Sequence, residues 1–206
     1  MHFFKVAWFL ALLLAGIFSE SAADKTVYVT EHGENTDACW NGGNCLTLDF
    51  ALGAVQGGAN TTIIVNYSHV FTDVTYARLV DCSSISICGV DNPTINCSDG
   101  AGIAFNRSEN IHISGLRWVG CSLETPTTMQ GGDLVPIQFI SAYTALFFYD
   151  VSNLVLEHCY FSSDRGLGVA LYDVQGEVRI LNNVFSGNRV AKELQCTKTD
   201  IYNALL

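Results

Sequence analysis

Apolar and polar residues alternate in similar ways along four stretches of this chain. The stretches begin 26, 43 and 24 residues apart, at Ile85, Ile111, Leu154 and Val178. A second apolar residue follows two positions later in each, at Ile87, Ile113, Leu156 and Ile180. A period of two places both side chains on one face of a strand. A strand unit that recurs at this interval predicts a solenoid, in which each coil buries its apolar face against the next.

Further positions of the repeat extend the prediction around each coil. An upstream strand is expected to carry equivalent apolar residues, with a one-residue slip in the last copy: Leu79, Phe105, Phe148 and Leu171. Five residues after each start we expect inward-facing Val90, Leu116, Cys159 and Asn183. Seven residues after the start, the first copy loses the match at Asn92, and the others predict an aromatic core stack of Trp118, Phe161 and Phe185.

The segments around the repeats predict an N-terminal unit and one long excursion. Residues 27–29 and 61–65 read as strands, and residues 46–55 have the spacing of a short helix that caps the open end of the solenoid. The long gap between copies fits an excursion around residues 124–136. Because no closing cap is evident before Leu206, we expect a longer natural protein rather than a cap formed by residues 193–206.

The first 23 residues predict a secretory signal peptide. Lys5 ends a short n-region, residues 6–18 are almost all apolar, and Ser21, Ala22 and Ala23 supply a cleavage site. The apolar run is too short for an ordinary membrane span. We therefore expect a secreted or cell-surface chain with three parts: the signal peptide over 1–23, an N-terminal strand, disulfide loop and capping helix over 24–60, and coils over 61–206.

Eight cysteines in an oxidising destination predict disulfides. The candidate pairs are Cys39 with Cys45, Cys82 with Cys88, and Cys97 with Cys121, although spacing alone does not fix connectivity. No closely spaced cysteine or histidine pair indicates a metal site, and no cofactor motif is present.

Four N-x-[ST] sequons fit the secretory prediction, since each marks a possible solvent-facing glycan site: Asn60, Asn66, Asn96 and Asn106. The formal net charge of -10 disfavours nucleic acid and anionic membranes as partners. Extracellular glycans or proteins remain as candidate partners.

Two other repeat or sandwich folds explain the pattern less well. A leucine-rich repeat returns through a helix, whereas residues 168–174 read as a strand. An immunoglobulin-like sandwich has a tyrosine two residues before its second cysteine, where this chain has Glu157 before Cys159. The predicted fold is therefore all-β, a right-handed parallel β-helix solenoid with a short N-terminal capping helix.

Residues 27–190 resemble the right-handed β-helix, pectin-lyase-like domains of secreted and cell-surface invertebrate proteins. The resemblance is carried by ICGVDNPTINC at 87–97, LRWVGC at 116–121, and the segments CYFSS at 159–163 and GVAL at 168–171. It implies a structural or recognition module without an assigned activity. The wider superfamily includes polysaccharide lyases and glycoside hydrolases, so the resemblance also motivates an enzyme as the alternative.

The best candidate site is a column of residues four positions before the repeat starts. Asp81, Arg107 and Asp150 occupy it, and Asp173 joins if the slip is allowed. Stacked Asp150 and Asp173 carboxylates would approach the separation of about 5 Å used by retaining glycosidases, and Arg107 could steady a uronate carboxylate. Aspartates that bond their own turn backbone are the simpler interpretation. We expect His112 to face solvent, without a ligand or acid–base role.

Overall fold

The computed structural model describes residues 24–55, 60–71, 77–98, 100, 102–121, 144–162, 167–187, 190–195 and 198–202. The predicted signal peptide and the excursion around 124–136 lie outside these residues. No helix in the described ranges is long and apolar enough to cross a bilayer.

The described chain is mostly β-structure with one short α-helix, α1 (Leu48–Leu52), and 3₁₀ turns at Asp37–Asn41 and Gly53–Val55. The strands are, in chain order, β1 (Lys25–Val29), β2 (Asn44–Cys45), β3 (Thr61–Val65), β4 (His69–Val70), β5 (Ala77–Val80), β6 (Ser83–Gly89), β7 (Thr94–Asn96), β8 (Ile103–Ser114), β9 (Arg117–Val119), β10 (Thr144–Glu157), β11 (Tyr160–Ser162), β12 (Leu167–Tyr172), β13 (Gln175–Leu181), β14 (Val184–Ser186), β15 (Val190–Gln195) and β16 (Lys198–Tyr202).

The strands form two parallel sheets. The larger sheet has eleven strands with the main order β15-β12-β10-β8-β6-β3-β1-β2, and β5, β13 and β16 pair beside this path. The smaller sheet has the order β14-β11-β9-β7-β4. Every strand pair among the described residues is parallel. An immunoglobulin-like sandwich is antiparallel, so the pairing excludes that fold.

The register aligns the starts of the predicted repeats. Ile85 pairs with Ile111, Ile111 with Leu154, and Leu154 with Val178. Two residues on, the buried ladder continues through Ile87, Ile113, Leu156 and Ile180. Neighbouring parallel strands lie about 4.8 Å apart, so equivalent side chains contact each other along the sheet. The predicted ladders are confirmed.

The upstream ladder and its slip are also confirmed. Leu79, Phe105, Phe148 and Leu171 pair in that order and are buried. The Phe105 and Phe148 rings are stacked, with centroids 5.1 Å apart. The register shifts by one residue where Ser152 and Leu154 face Gln175 and Val178. Strand β13 therefore has one residue more than β10 in this interval, and a local bulge accommodates it.

The first copy of the repeat differs from the prediction after its strand. Val90 is 46% exposed, so its predicted inward position is wrong. Residues 90–93 form a longer turn, in which Asp91 and Asn92 have φ of 59° and 53°. Because of this turn, the buried residue that pairs with Trp118 is Ile95. From Trp118 onward the aromatic register is as predicted, through Phe161 and Phe185.

Residues with a left-handed backbone conformation form two rows across the strands of the larger sheet. We call each row a corner of the sheet. The first corner contains the predicted column, with φ of 55° at Asp81, 49° at Arg107, 53° at Asp150 and 50° at Asp173. The second contains Asn110, Asn153 and Gly176, with φ of 55°, 59° and 72°. Aspartate, asparagine and glycine tolerate this conformation better than other residues.

An asparagine contact links successive strands at the second corner. The side-chain amide of Asn153 donates to Asn110 Oδ1 at 3.0 Å, and Asn153 Oδ1 accepts from the backbone amide of Glu177 at 3.1 Å. A Cβ at Gly176 would overlap with Asn153 Oδ1. The corner therefore holds the strands on either side of it in fixed register.

The terminal segments add to the same sheet. Helix α1 buries Leu48, Ala51 and Leu52, and the predicted short helix is therefore present. At the other end, β15 pairs with β12 and β16 pairs with β13. Residues 193–195 and 198–202, considered above as part of a cap, thus continue the strand pairing.

Candidate functional site

The structure brings three of the predicted column residues to one cleft. Asp81, Arg107 and Asp150 line a cavity of about 490 Å³ at the first corner of the larger sheet. The remaining lining residues follow these three in the chain, apart from Gln175 at the start of β13: Cys82, Ser83, Ser108, Glu109, Val151, Ser152 and Gln175. We call this space the corner cleft.

Arg107 in the corner cleft forms an ion pair with Asp81. Its Nε donates to Asp81 Oδ1 and its Nη2 to Asp81 Oδ2, both at 2.8 Å. The hydrogen bond and charge of Asp81, with a smaller contribution from Asp150, raise the pKa of Arg107. The side chains are 57% and 63% exposed, so the pair adds little to stability. A uronate would have to displace Asp81 to reach the same guanidinium nitrogens.

Asp150 and Asp173 occupy equivalent places on neighbouring strands. Tyr149 of β10 pairs with Tyr172 of β12, and each aspartate follows directly with a left-handed backbone. Asp150 lines the corner cleft, whereas the lining found among the described residues does not include Asp173. The backbone register therefore sets Asp150 and Asp173 side by side along the corner, and Asp150 is the member that lines the cleft.

A second cleft lies on the outer face of the larger sheet. It has a volume of about 390 Å³ and is lined by Asn110, Ile111, His112, Asn153, Val155, Glu157, Glu177 and Arg179. His112 Nε2 lies 3.0 Å from Glu157 Oε1 across neighbouring strands. We call this space the face cleft.

The His112–Glu157 pair was not predicted as a unit. Strand alternation does place both residues on the outer face, because Ile111, Ile113 and Leu156 face inward. The alignment of Ile111 with Leu154 also sets Val155 opposite His112, and so brings Glu157 to the diagonal position. The sequence does not specify which neighbouring side chain the imidazole contacts, because that contact depends on side-chain rotamers.

The outer face of the smaller sheet carries an aromatic–cation contact. The Arg117 guanidinium carbon lies 4.4 Å from the centroid of the Tyr160 ring. Hydrogen bonds with the side chains of Ser186 and Ser162, together with the Arg117 charge, lower the pKa of Tyr160. Trp118 and Phe161, on the opposite side of this sheet, are buried in the core as predicted.

The cysteines follow the sequence prediction in two of three pairs. Cys39 and Cys45 form one disulfide and Cys97 and Cys121 another, with Cα atoms 5.0 and 4.7 Å apart. The predicted Cys82–Cys88 bond is not formed. Cys82 is buried, whereas Cys88 alternates with inward Ile87 and contacts the Ser86 hydroxyl on the outer face at 3.3 Å.

Cys159 is a buried free thiol. Burial is the main reason that its pKa is raised to about 12. Its backbone amide donates to Asn183 Oδ1, and the Asn183 amide donates to the Leu156 carbonyl, both at 2.8 Å. Asn183, which was predicted to face inward, thus provides hydrogen-bond partners for two backbone groups of its neighbours. A buried, protonated thiol is not a nucleophile.

The four sequons differ in accessibility. Asn60, Asn66 and Asn96 are exposed, while Asn106 is half-buried between Val80 and Tyr149. Within the described ranges, no group of three histidine, cysteine or acidic residues could hold a metal ion.

Comparison of the chain with protein-family models, with curated proteins and with solved structures gave no match. Function must therefore be argued from the two clefts and the faces that surround them.

Proposed function

We propose that this chain is a right-handed parallel β-helix of the pectin-lyase-like type, acting outside the cell. In-register ladders of equivalent residues and corners of left-handed residues support the solenoid. The two disulfides and four sequons support an extracellular, N-glycosylated protein.

The proposed role is recognition of extracellular glycans. The observation that carries it is the cross-strand pairing of polar side chains in the clefts, seen in Arg107 with Asp81 and His112 with Glu157. Among the described residues, the two linings hold five carboxylates against two guanidinium groups: Asp81, Glu109, Asp150, Glu157 and Glu177 against Arg107 and Arg179. The clefts are therefore net acidic, and their carboxylates can accept hydrogen bonds from sugar hydroxyls. A protein interface would be expected to centre on large aromatic or apolar side chains, and the lining of these clefts is mainly polar.

A glycan array probed with the full chain, expressed through the secretory pathway, tests this role. We expect retention of a restricted set of glycans, weakened by Asp150→Ala and unaffected by the matched exposed change Asp37→Ala in the N-terminal loop. Capture of no glycan would overturn the proposal. If the Asp150→Ala and Asp37→Ala variants retain glycans equally, the corner cleft is not the glycan-binding site.

The second candidate is a polysaccharide lyase or glycoside hydrolase that uses Asp150 and Asp173. The equivalent positions of the two aspartates on neighbouring strands favour it, since a retaining hydrolase needs two carboxyl groups about 5 Å apart. New reducing ends or unsaturated products from acidic polysaccharides, lost in Asp150→Ala, would establish this activity. Intact polymer after prolonged incubation would exclude it for those substrates.

A further inference from the structure

The corner cleft and the face cleft adjoin along the same three strands. The corner cleft takes residues 107–109 from β8, 150–152 from β10, and Gln175 from β13. The face cleft continues with residues 110–112, then Asn153, Val155 and Glu157, and then Glu177 and Arg179. Register pairs these strands throughout. The lining runs without a break from Arg107 to Asn110 and His112 in β8, a path of at most about 17 Å, so one extended ligand could contact both clefts.

The polar groups of the face cleft are held in place. Glu157 Oε1 contacts His112 Nε2 at 3.0 Å, and its other oxygen lies 4.0 Å from His158 Nδ1. His158 is in turn 3.2 Å from the side-chain amide of Asn182. The Glu157 side chain is only 27% exposed. A carboxylate that is hydrogen-bonded to an imidazole on the neighbouring strand, as Glu157 is to His112, loses less further freedom when a ligand binds, which favours affinity.

The charges of the clefts point to the class of ligand. Arg179 lies 3.9 Å from Glu177, a looser contact than the two 2.8 Å hydrogen bonds between Arg107 and Asp81. A polyanion would therefore meet carboxylates beside each arginine. A hydroxyl of a neutral sugar can donate to Glu157 and accept from a protonated imidazole nitrogen or an arginine. Half-exposed Val155 lies between His112 and Arg179 in the sheet and offers an apolar contact for sugar C–H groups.

We propose that His112 and Glu157 form a second subsite for a neutral sugar residue, so that the ligand is an oligosaccharide spanning both clefts. This proposal rests on the glycan recognition proposed above, and it adds that the glycan is an oligosaccharide with a neutral sugar residue. Arg107 and Asp150 contact one part of the ligand, and His112, Glu157 and Arg179 contact another.

The test is binding of neutral gluco-, manno- and galacto-oligosaccharides from disaccharide to hexasaccharide, measured by calorimetry on the full secreted chain. For the sugar type that binds, we expect the hexasaccharide to bind at least about tenfold more tightly than the disaccharide. Glu157→Gln and His112→Gln are expected to remove most of this gain and leave disaccharide binding at the corner cleft. Glu34→Gln, an exposed change in the N-terminal loop, is the matched control.

Each contrary result has a distinct meaning. A gain with length that survives in Glu157→Gln and His112→Gln would overturn the second subsite and leave glycan recognition intact. A galacturonate series that binds more tightly than the neutral series would overturn the neutral chemistry. Failure of every oligosaccharide to bind the unmodified chain would overturn both proposals. Circular dichroism of each variant separates these outcomes from misfolding.

Discussion

The imidazole of His69 accepts a hydrogen bond from the backbone amide of Leu48, with Nε2 and N 2.9 Å apart. The other ring nitrogen faces the carbonyl oxygen of Tyr67 at 3.2 Å and donates to it. Thr47 precedes the helix without making a side-chain cap. His69, 21 residues away in sequence, therefore takes the place of the missing cap and ties α1 to β4.

This contact predicts a loss of stability in acid. Burial lowers the pKa of His69, against the opposing effects of the Tyr67 carbonyl and the Asp49 charge. Because the pKa of His69 is higher in the unfolded chain, the unfolded chain takes up a proton at this imidazole first as the pH falls. The contribution of His69 to folding stability is therefore complete above about pH 6.5 and is lost as the pH falls through its lower pKa in the folded protein. We expect a loss of about 1 kcal/mol, the usual worth of a helix cap.

Chemical denaturation of His69→Gln at pH 7.5 and pH 5 measures this effect. Glutamine can accept the same hydrogen bond but does not titrate, so the variant should lose less stability in acid than the unmodified chain. His112→Gln, on the outer face of the larger sheet, is the comparison. Equal acid sensitivity of the unmodified chain and His69→Gln would contradict the assignment.

A close approach between two glycines predicts a strong substitution effect. A Cβ at Gly89 would overlap with the backbone carbonyl of Gly115, which directly follows β8. The backbone cannot move away without breaking the β6–β8 pairing, so Gly89→Ala should cost about 3 kcal/mol, at the upper end of ordinary overpacking. Gly42→Ala meets no atom within 4 Å and should cost only the strain of its left-handed backbone, about 1 kcal/mol. Unfolding in urea compares the two, and an equal cost would refute the steric argument.

The free thiols should differ in reactivity. Cys88 is half-exposed on the outer face, whereas Cys82 and Cys159 are buried and burial raises the pKa of both. At pH 8 we expect iodoacetamide to label Cys88 at least about 100-fold faster than Cys159, because the thiolate is the reactive species. Peptide mass mapping measures each site. Recovery of a Cys82–Cys88 disulfide from the native protein would contradict the structure.

The sequence predicts the apolar ladders well and the contacts of polar side chains poorly, and the reason is physical. Ile113 and Leu156 face inward because burial of apolar residues imposes a period of two, which is visible in a single strand. The same period, applied to Cys88 after inward Ile87, would have excluded its bond to Cys82. The diagonal contact of His112 with Glu157 depends instead on the rotamers that the two side chains adopt, which neither the period nor the strand alignment specifies.

The first copy of the repeat shows a second limit. Counting seven residues from Ile85 reaches Asn92, but the longer turn at 90–93 shifts the aligned position to Ile95. Left-handed Asp91 and Asn92 are typical turn residues, so the turn itself was recognisable. The sequence did not reveal how many residues this turn adds before β7.

We expect the four sequons to be N-glycosylated to different extents. Asn106 Oδ1 is buried without a hydrogen-bond partner, and Ser108 of the same sequon is 3% exposed. The Ser108 hydroxyl donates to the Asn106 carbonyl at 3.0 Å and accepts from the Cys82 amide at 3.3 Å. A glycan at Asn106 would also meet Tyr149 on the neighbouring strand. Chains modified there should fold poorly, so secreted protein should carry glycans at Asn60, Asn66 and Asn96 and little at Asn106.

Two serine variants separate modification from structure at these sequons. Ser98→Ala removes the Asn96 sequon at an exposed turn, and we expect the loss of one glycan mass with little change in thermal stability. Ser108→Ala should leave the glycan mass unchanged and lower stability by about 1–3 kcal/mol, because the buried Cys82 amide loses its acceptor. Intact mass and thermal unfolding of the secreted variants provide the comparison. A glycan mass lost from Ser108→Ala would show that Asn106 is modified in the folded protein, and its outer face would then have to be open to solvent.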